Sequence, residues 1–541
     1  MGGDAVKPNL DVLVVGAGPT GLAAATELRR QGLHCRIIDQ ASDRPMNQAR
    51  AVTLWDGAMD VLRRQGTADR VRAEGLPLEV IRYWSGKSSI ASFHLSGNPA
   101  AKASPIVITQ PAVESAMADR LGGLGVDIEW KTRLASLEDH GDGVGVTMET
   151  PSGIERLEAR WVVGCDGMHS SVREMAGIAF EGAPYPQSFI LGDGLIDAPI
   201  PPGEAHYHLH PAGVLVTLPL PNGNVRVFAD ATAMSASDAP FSVEELQDLV
   251  NERAPYRLEI HELLWSTRFR IHMQQAASYR SGRCVIAGDA AHVHSPAGGQ
   301  GLNTGIQDAA NLAWKIGLAV GGHGHPDELL SSYEAERKPV AARVMQASHQ
   351  QTKLWTVQSG LGRSIRNLLL GGMSRTGLME RKIVPSMAQF DLDYRHSPTV
   401  GNRGGRRAIG HGFVDAKVTS KAGSIVWLSD LLKGPRHTLL VFTGPAGIDS
   451  EVLGLLNRAA EAEAVDICVF SASDQARSPA VEADGLPDLD RYSYVLPKDF
   501  VLSGGLKDCK LVLVRPDGYV ADAADSYDVD EVLTLAGLLS I

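Results

Sequence analysis

The chain has 541 residues, 44% hydrophobic and 21% charged, with 51 Lys+Arg against 63 Asp+Glu and a formal charge of -12. That balance excludes a mostly disordered chain, and so acidic a surface argues against nucleic acid and membranes as partners. The length suits roughly three domains.

Five cysteines without a CxxC do not make a disulfide framework and fit a reducing cytoplasm. No apolar run approaches the ~18–20 residues of a membrane helix. The opening MGGDAVKPNL contains an acid and lacks an apolar core, so a secretory leader is not expected.

In chain order, Asp11–Val15 is a short β-rich apolar run, and Gly16-Ala17-Gly18-Pro19-Thr20-Gly21 follows at once. Leu22 to Arg30 reads as a helix closed by Gly32, and Cys35–Ile38 as a second strand ending at Asp39-Gln40. This β–turn–α–β unit carries GxGxxG. Its glycines permit the tight turn, the approach of backbone to a pyrophosphate, and close helix–strand packing. Asp39 stands where an acid accepts hydrogen bonds from a ribose diol.

Further along, VVGCDGMHSSVRE places Asp166-Gly167, Ser170 and Arg173 directly after a strand. From roughly Gly177 to Arg280 the texture becomes strand-like alternation with turns at Pro211-Ala212-Gly213 and Pro221-Asn222-Gly223, the pattern of a mostly antiparallel sheet inserted into an α/β domain. The α/β texture returns at Cys284. There Gly288-Asp289 ends a strand, and Pro296 with Gly298-Gly299-Gln300-Gly301 opens a helix. Residues 326 to about 392 read as mainly helical. A Gly/Arg/Pro-rich connector, 396–412, precedes a tail of strands and helices that suits a small α/β domain.

Taken together, these three motifs in this order resemble the single-component flavin monooxygenases that hydroxylate aromatic rings, above all their three-domain phenol-type members. The segments Tyr333-Glu334 to Pro339-Val340 and Leu513 to Tyr519 extend the resemblance over nearly the whole chain. It implies an FAD-binding domain of Rossmann type in two parts (1–176 and 281–395), an inserted β-sheet substrate domain (177–280) and a thioredoxin-like C-terminal domain (396–541). It implies hydroxylation of a phenolic or polycyclic aromatic substrate with O2 and NADPH or NADH, through a flavin hydroperoxide. Epoxidation, Baeyer–Villiger oxidation, oxidative dehalogenation and a non-enzymatic FAD-binding accessory role are the alternatives. A cytoplasmic enzyme, a homodimer and no metal are expected.

The same resemblance assigns residues. Gly16, Gly18 and Gly21, with Pro19 and Thr20 between them, and Asp39-Gln40 would hold the ADP half of FAD. Arg50 in QARAV and Gln110 in ITQPAVE would reach the cofactor, and Asp166-Gly167 with Arg173 would serve both FAD and the nicotinamide nucleotide. Gly288-Asp289 would hold the ribityl chain. Pro296, Gly299, Gly301, Leu302 and Asn303 would sit beside the isoalloxazine, whose reduced pyrimidine edge a helix N-terminus stabilises. Gln274, Gly57 and His169 depart from the phenol-type pattern and leave the substrate and the NADH/NADPH preference open.

For the substrate, the candidates are His208, Arg226 and Pro296. His206, His208 and His210 alternate and share one face of a strand, which is either a polar pocket wall carrying a base or a solvated sheet face.

Overall fold

The structure is a computed structural model that describes residues 10–44, 52–96, 104–232, 241–295, 298–357, 359–401, 406–413, 417–420, 424–443, 448–461, 465–471, 493–495, 506 and 509–535. The chain divides into two compact units. One comprises Met1–Thr26, Cys35–Ala309 and Lys338–Phe390, the other Glu27–His34, Ala310–Arg337 and Asp391–Ile541.

In the first unit the expected β–α–β opening is present as the strand Leu10–Val15, the helix Pro19–Arg30 and the strand Cys35–Ile38. The two strands pair in parallel, Val12 against Cys35 and Val15 against Ile38. Gly153–Gly164 lies parallel on the other side of Leu10–Val15, and Cys284–Ile286 extends the sheet beyond it. Strands buried on both faces need continuous apolar sequence, and LDVLVV and CVI supply it. The antiparallel strands Arg133–Asp139 and Val144–Thr150 hang from Gly153–Gly164.

A second sheet of eight strands is built around two long partners, Phe180–Asp197 and Glu259–Ala276. Val225–Asp230, Gly213–Pro219 and Glu204–His210 follow in antiparallel order. Two strands from well before the expected insertion, Val80–Ser85 and Ser88–His94, form one edge, the first running parallel to Glu204–His210, and the short strand His292–Val293 forms the other edge beside Glu259–Ala276. One face of this sheet packs an apolar cluster that includes Phe93, Phe189, Phe228 and Trp355. The other packs Ile190, Leu215 and Val227 against Leu246, Leu249 and Val250 of the helix Val243–Arg253. That helix starts in a capping box, Ser242 with Glu245, which satisfies two of its unpaired N–H groups.

In the second unit a seven-stranded sheet ends in the order Val465–Ser471, His437–Phe442, Leu511–Val514, Val520–Ala524, the last being an edge strand. The first pair is parallel and the next two are antiparallel. Its interior holds a charged cluster. Arg515 donates to both oxygens of Glu336 at 2.8 Å and also pairs with Asp517, while Lys315 Nζ lies 3.0 Å from Glu336. Burial alone would raise the Glu336 carboxyl, but Arg515 and Lys315 overcome it and hold the group well below the usual carboxylate range. Burial pushes the Lys315 ammonium down to about 8.

Candidate functional site

A cavity of about 1190 Å³ runs through the first unit, from the Gly16 turn to the aromatic face of the second sheet. It exceeds the ~300–1,000 Å³ of an ordinary small-molecule pocket.

At one end the chain turns sharply after Val15. Gly16 has φ 100°, and a Cβ there would strike the carbonyl of Cys165. A Cβ at Gly18 would meet nothing within 4 Å, so the turn is open on the cavity side, where a phosphate needs bare backbone. Pro19 and Thr20 begin the helix behind it and line the cavity with Gly18. Gly21 does not line it. A Cβ there would collide with the Gly16 carbonyl, so this glycine serves close packing. Asp39 accepts from Ala17 N at 2.7 Å and from Ala41 N at 2.8 Å. Each bond uses one oxygen and leaves acceptor capacity on the cavity side, where Gln40 and Gln110 also lie. The Gln110 amide is steadied by Glu114 at 2.8 Å.

Against the Gly16 turn, Asp166 and Gly167 line the cavity. The Asp166 carboxylate is also the anchor of the next helix, accepting from Ser170 Oγ, Ser171 N and Oγ, and Val172 N at 2.5–3.2 Å. Arg173 points elsewhere. Its guanidinium donates to the carbonyls of Ala290 and Met168 and stacks on Phe180, tying the Asp166 loop to the Asp289 turn.

Asp289 is exposed within the cavity, at a turn that Gly288 makes with φ 61°, where any side chain would clash with Thr20. Behind it, Asp308 accepts from Gly288 N at 3.2 Å and from His292 Nε2 at 2.6 Å, with the His292 and Asp308 side chains fully buried. Gly299, Gly301 and Leu302 line the cavity where the helix Gly301–Gly321 begins. Asn303 is buried just beyond them. Its Nδ2 donates to Thr53 O and Gly299 O, and its Oδ1 accepts from Trp55 N, so it shapes the turn. Arg50 and Pro296 lie outside the described residues.

The far end is aromatic: Tyr207, Phe228, Trp265, Phe269 and Trp355, with Met387. Tyr207 stacks on Tyr83 at 5.0 Å. Burial pushes the Tyr83 phenol up to about 12 and Tyr207 higher still, so both are neutral hydroxyls. Arg226 lines this end and is held in a bidentate pair with Asp193, both contacts 2.6 Å, which cancels its net charge.

His208 is corrected. His206 and His208 occupy neither the cavity wall nor a solvated face, and His210 at the strand end is half-buried. Strand parity turns Tyr207 to the cavity and His206 and His208 to the opposite side, where Tyr256 covers them. His208 Nε2 sits 3.3 Å from both Thr217 Oγ1 and Tyr256 OH, and burial pushes its pKa down to about 3. Sequence reasoning missed Tyr207, Trp265, Phe269, Trp355 and Met387. Only Tyr207 had a local signal, the reverse parity of HYHLH.

The glycine turn open to the cavity, the acid at the second strand end, and the helix start facing the far side fit an extended dinucleotide such as FAD. No group of metal-ligating side chains occurs among the described residues, and no described helix is long and apolar enough to cross a membrane.

Comparison with known proteins agrees. Residues 9–348 match the family model described as FAD binding domain. The 6-methylpretetramide 4-monooxygenase of Streptomyces rimosus is 31% identical over 94% of this chain and 90% of its own length. The pentachlorophenol 4-monooxygenase of Sphingobium chlorophenolicum is 30% identical over 80% of this chain and 79% of its own. Among solved structures, CabE, an aromatic hydroxylase from angucycline biosynthesis, superposes with a TM-score of 0.77 at 26% identity, covering 98% of this chain and 100% of that one. AlpK does so with 0.72 at 29%, covering 98% of each.

Fold and site define a flavoprotein oxidoreductase. The chain belongs to the FAD-binding family of aromatic monooxygenases.

Proposed function

We propose that this enzyme hydroxylates a phenolic or polycyclic aromatic compound, using O2 and NADH or NADPH. The observation that carries the reading is the continuity of one cavity from the Gly16–Asp39 end to the aromatic wall around Tyr207 and Phe269. When bound, FAD accepts hydride from NAD(P)H and activates O2 for transfer of one oxygen atom to the ring.

The chain's own residues do the rest. The Gly16–Gly21 turn and the helix start at Pro19 would receive the pyrophosphate, Asp39 and Gln40 the adenosine ribose, and Gly288-Asp289 the ribityl hydroxyls. The N-terminus of Gly301–Gly321, with Gly299, Leu302 and Asn303, would place backbone donors at the electron-rich edge of the ring system, and Pro296 keeps its assigned part beside that ring. Arg50, Gln110, Asp166-Gly167 and Arg173 keep their assigned parts as contacts or as supports. The aromatic wall orients a flat substrate and excludes water. Arg226, neutralised by Asp193, offers hydrogen bonding rather than net charge to a substrate oxygen.

The proposal keeps the division into an FAD-binding part (1–176 and 281–395), a sheet domain (177–280) and a C-terminal domain (396–541), except that Val80–Ser85 and Ser88–His94 join the sheet domain. The C-terminal sheet order, with a parallel pair followed by two antiparallel strands and a closing helix, supports a thioredoxin-like fold. Its cysteines Cys468 and Cys509 are buried and the sequence holds no CxxC, which speaks against a dithiol role. A cytoplasmic homodimer completes the reading.

The test is spectroscopic and chemical. Purified protein is expected to be yellow, to oxidise NAD(P)H faster when phenols or polycyclic phenols are added, and to yield products heavier by one oxygen. Protein that stays colourless with excess FAD overturns the proposal.

A further inference from the structure

The wall of the cavity and the helix that opens beside it are joined by a residue in an unusual conformation. Gln389 has φ 56°, the left-handed region that a γ-branchless but bulky side chain rarely enters, and it is 2% exposed. The segment leading to it begins with a π-helical turn, Met379–Ile383, a form that often accompanies functional sites. Met387 in this segment lines the cavity, and its Cε lies 3.4 Å from where a Cβ on Gly298 would stand. Ala388 O accepts from Gly57 N at 3.1 Å.

The Gln389 amide explains why the strained backbone persists. Its Nε2 donates to Thr304 Oγ1 at 2.8 Å, and its Oε1 accepts from Gln307 Nε2 at 2.9 Å. Thr304 Oγ1 in turn donates to Gln300 O at 3.0 Å, and Gln307 Nε2 donates to Asn303 O at 3.1 Å. One side chain therefore closes a hydrogen-bonded chain over the first turns of Gly301–Gly321, ending on the carbonyls of Gln300 and Asn303. Gln300 lines the cavity, and Asn303 holds Gly299 O at 2.7 Å.

We propose that Gln389 is a positioning residue of the oxygen-transfer site: its amide, carried on a left-handed backbone, fixes the Gly299–Asn303 turn relative to the cavity wall that bears Met387. It touches no reactant. It acts by setting where the helix start and the wall stand with respect to each other, and so how well the cavity keeps water from the reacting oxygen. The inference rests on the FAD monooxygenase reading above.

The experiment uses the full chain, prepared with and without FAD. Gln389→Gly relieves the backbone and removes the amide. Thr304→Val breaks the same chain from the helix side. Both are expected to weaken FAD binding by roughly fivefold, read by flavin fluorescence quenching. Both are also expected to lower product formed per NAD(P)H consumed by roughly threefold, with hydrogen peroxide making up the difference. Gln389→Asn, which tolerates the left-handed region and keeps an amide, is expected to restore part of the coupling. If both breaking variants keep FAD affinity and coupling within about twofold of the parent, the proposal fails, even if their melting temperatures fall. A parent that holds no FAD overturns the monooxygenase reading as well, whereas a coupled parent with equally coupled variants overturns the role of Gln389 alone.

Discussion

Glu336 and Arg515, 179 residues apart in sequence, meet through two hydrogen bonds of 2.8 Å in the interior of the second unit. Both belong to segments that stand out in the sequence, and the structure gives the reason: each completes the other's burial. Asn311 donates to Glu336 and Asp517, and Lys315 adds a second cation. Removing the guanidinium would leave two carboxylates buried against one lysine. Arg515→Met is expected to cost about 3–5 kcal/mol, the usual result of stranding a buried charge. Equilibrium denaturation of the full chain checks it, and an unchanged midpoint would show that the cluster contributes nothing.

The parity of HYHLH separates two variants. Tyr207 faces the cavity, while His208 is packed against Thr217 and Tyr256 on the far side of the strand. Tyr207→Leu is expected to raise the KM for an aromatic substrate by roughly tenfold through the lost ring stacking and area, with little change in melting temperature. His208→Ala is expected to do the reverse, leaving KM unchanged and lowering stability by about 1–3 kcal/mol as its partners lose a hydrogen bond. Steady-state kinetics and thermal melts on both proteins decide the assignment.

What the sequence made legible was local. The Gly16 turn, Asp39 and the Gly299–Asn303 helix start are short-range patterns in which the residue type and the backbone need coincide, and each lies at the cavity or shapes its edge. The substrate wall was not legible, because it is assembled from distant pieces: Tyr207 from one strand, Trp265 and Phe269 from an 18-residue strand, Trp355 from the end of a long helix, and Met387 from the segment after it. The recruitment of Val80–Ser85 and Ser88–His94 into the second sheet depends on a parallel register with Glu204–His210 that no local alternation announces. Asp166 shows a third limit. The same aspartate, read from sequence alone, serves equally as a ligand group and as the anchor of the Ser171–Met175 helix.

Burial of His208 makes a pH prediction. Its pKa is about 3 in the fold against about 6.5 in the unfolded chain. Between those values the unfolded state binds more protons, so stability is retained above pH 6.5 and falls as pH drops toward 3. The slope from this group is at most about 1.4 kcal/mol per pH unit. His208→Gln cannot take up that proton, so its stability is expected to fall less steeply than the parent's between pH 6.5 and 4.5. Chemical denaturation at several pH values reads the difference, and parallel curves would assign the acid sensitivity to other groups.

Asp289 and Asp308 sit on either side of one turn and should fail differently. Asp289 is exposed inside the cavity, and Asp308 is sealed behind it with His292 and Gly288 N. Asp289→Ala removes a group that faces the proposed ribityl chain, so FAD affinity is expected to fall by tenfold or more, about 1.4 kcal/mol at least, while the apo-protein melts within roughly 2 °C of the parent. Asp308→Asn disturbs a buried pair, so the apo-protein is expected to lose about 3 kcal/mol and FAD affinity to drop as a consequence of the loosened Gly288 turn. Fluorescence titration of FAD and melting of the apo-proteins separate the two. An Asp289→Ala protein that retains the parent's FAD affinity would remove this residue from the cofactor site and leave the turn's role to its backbone.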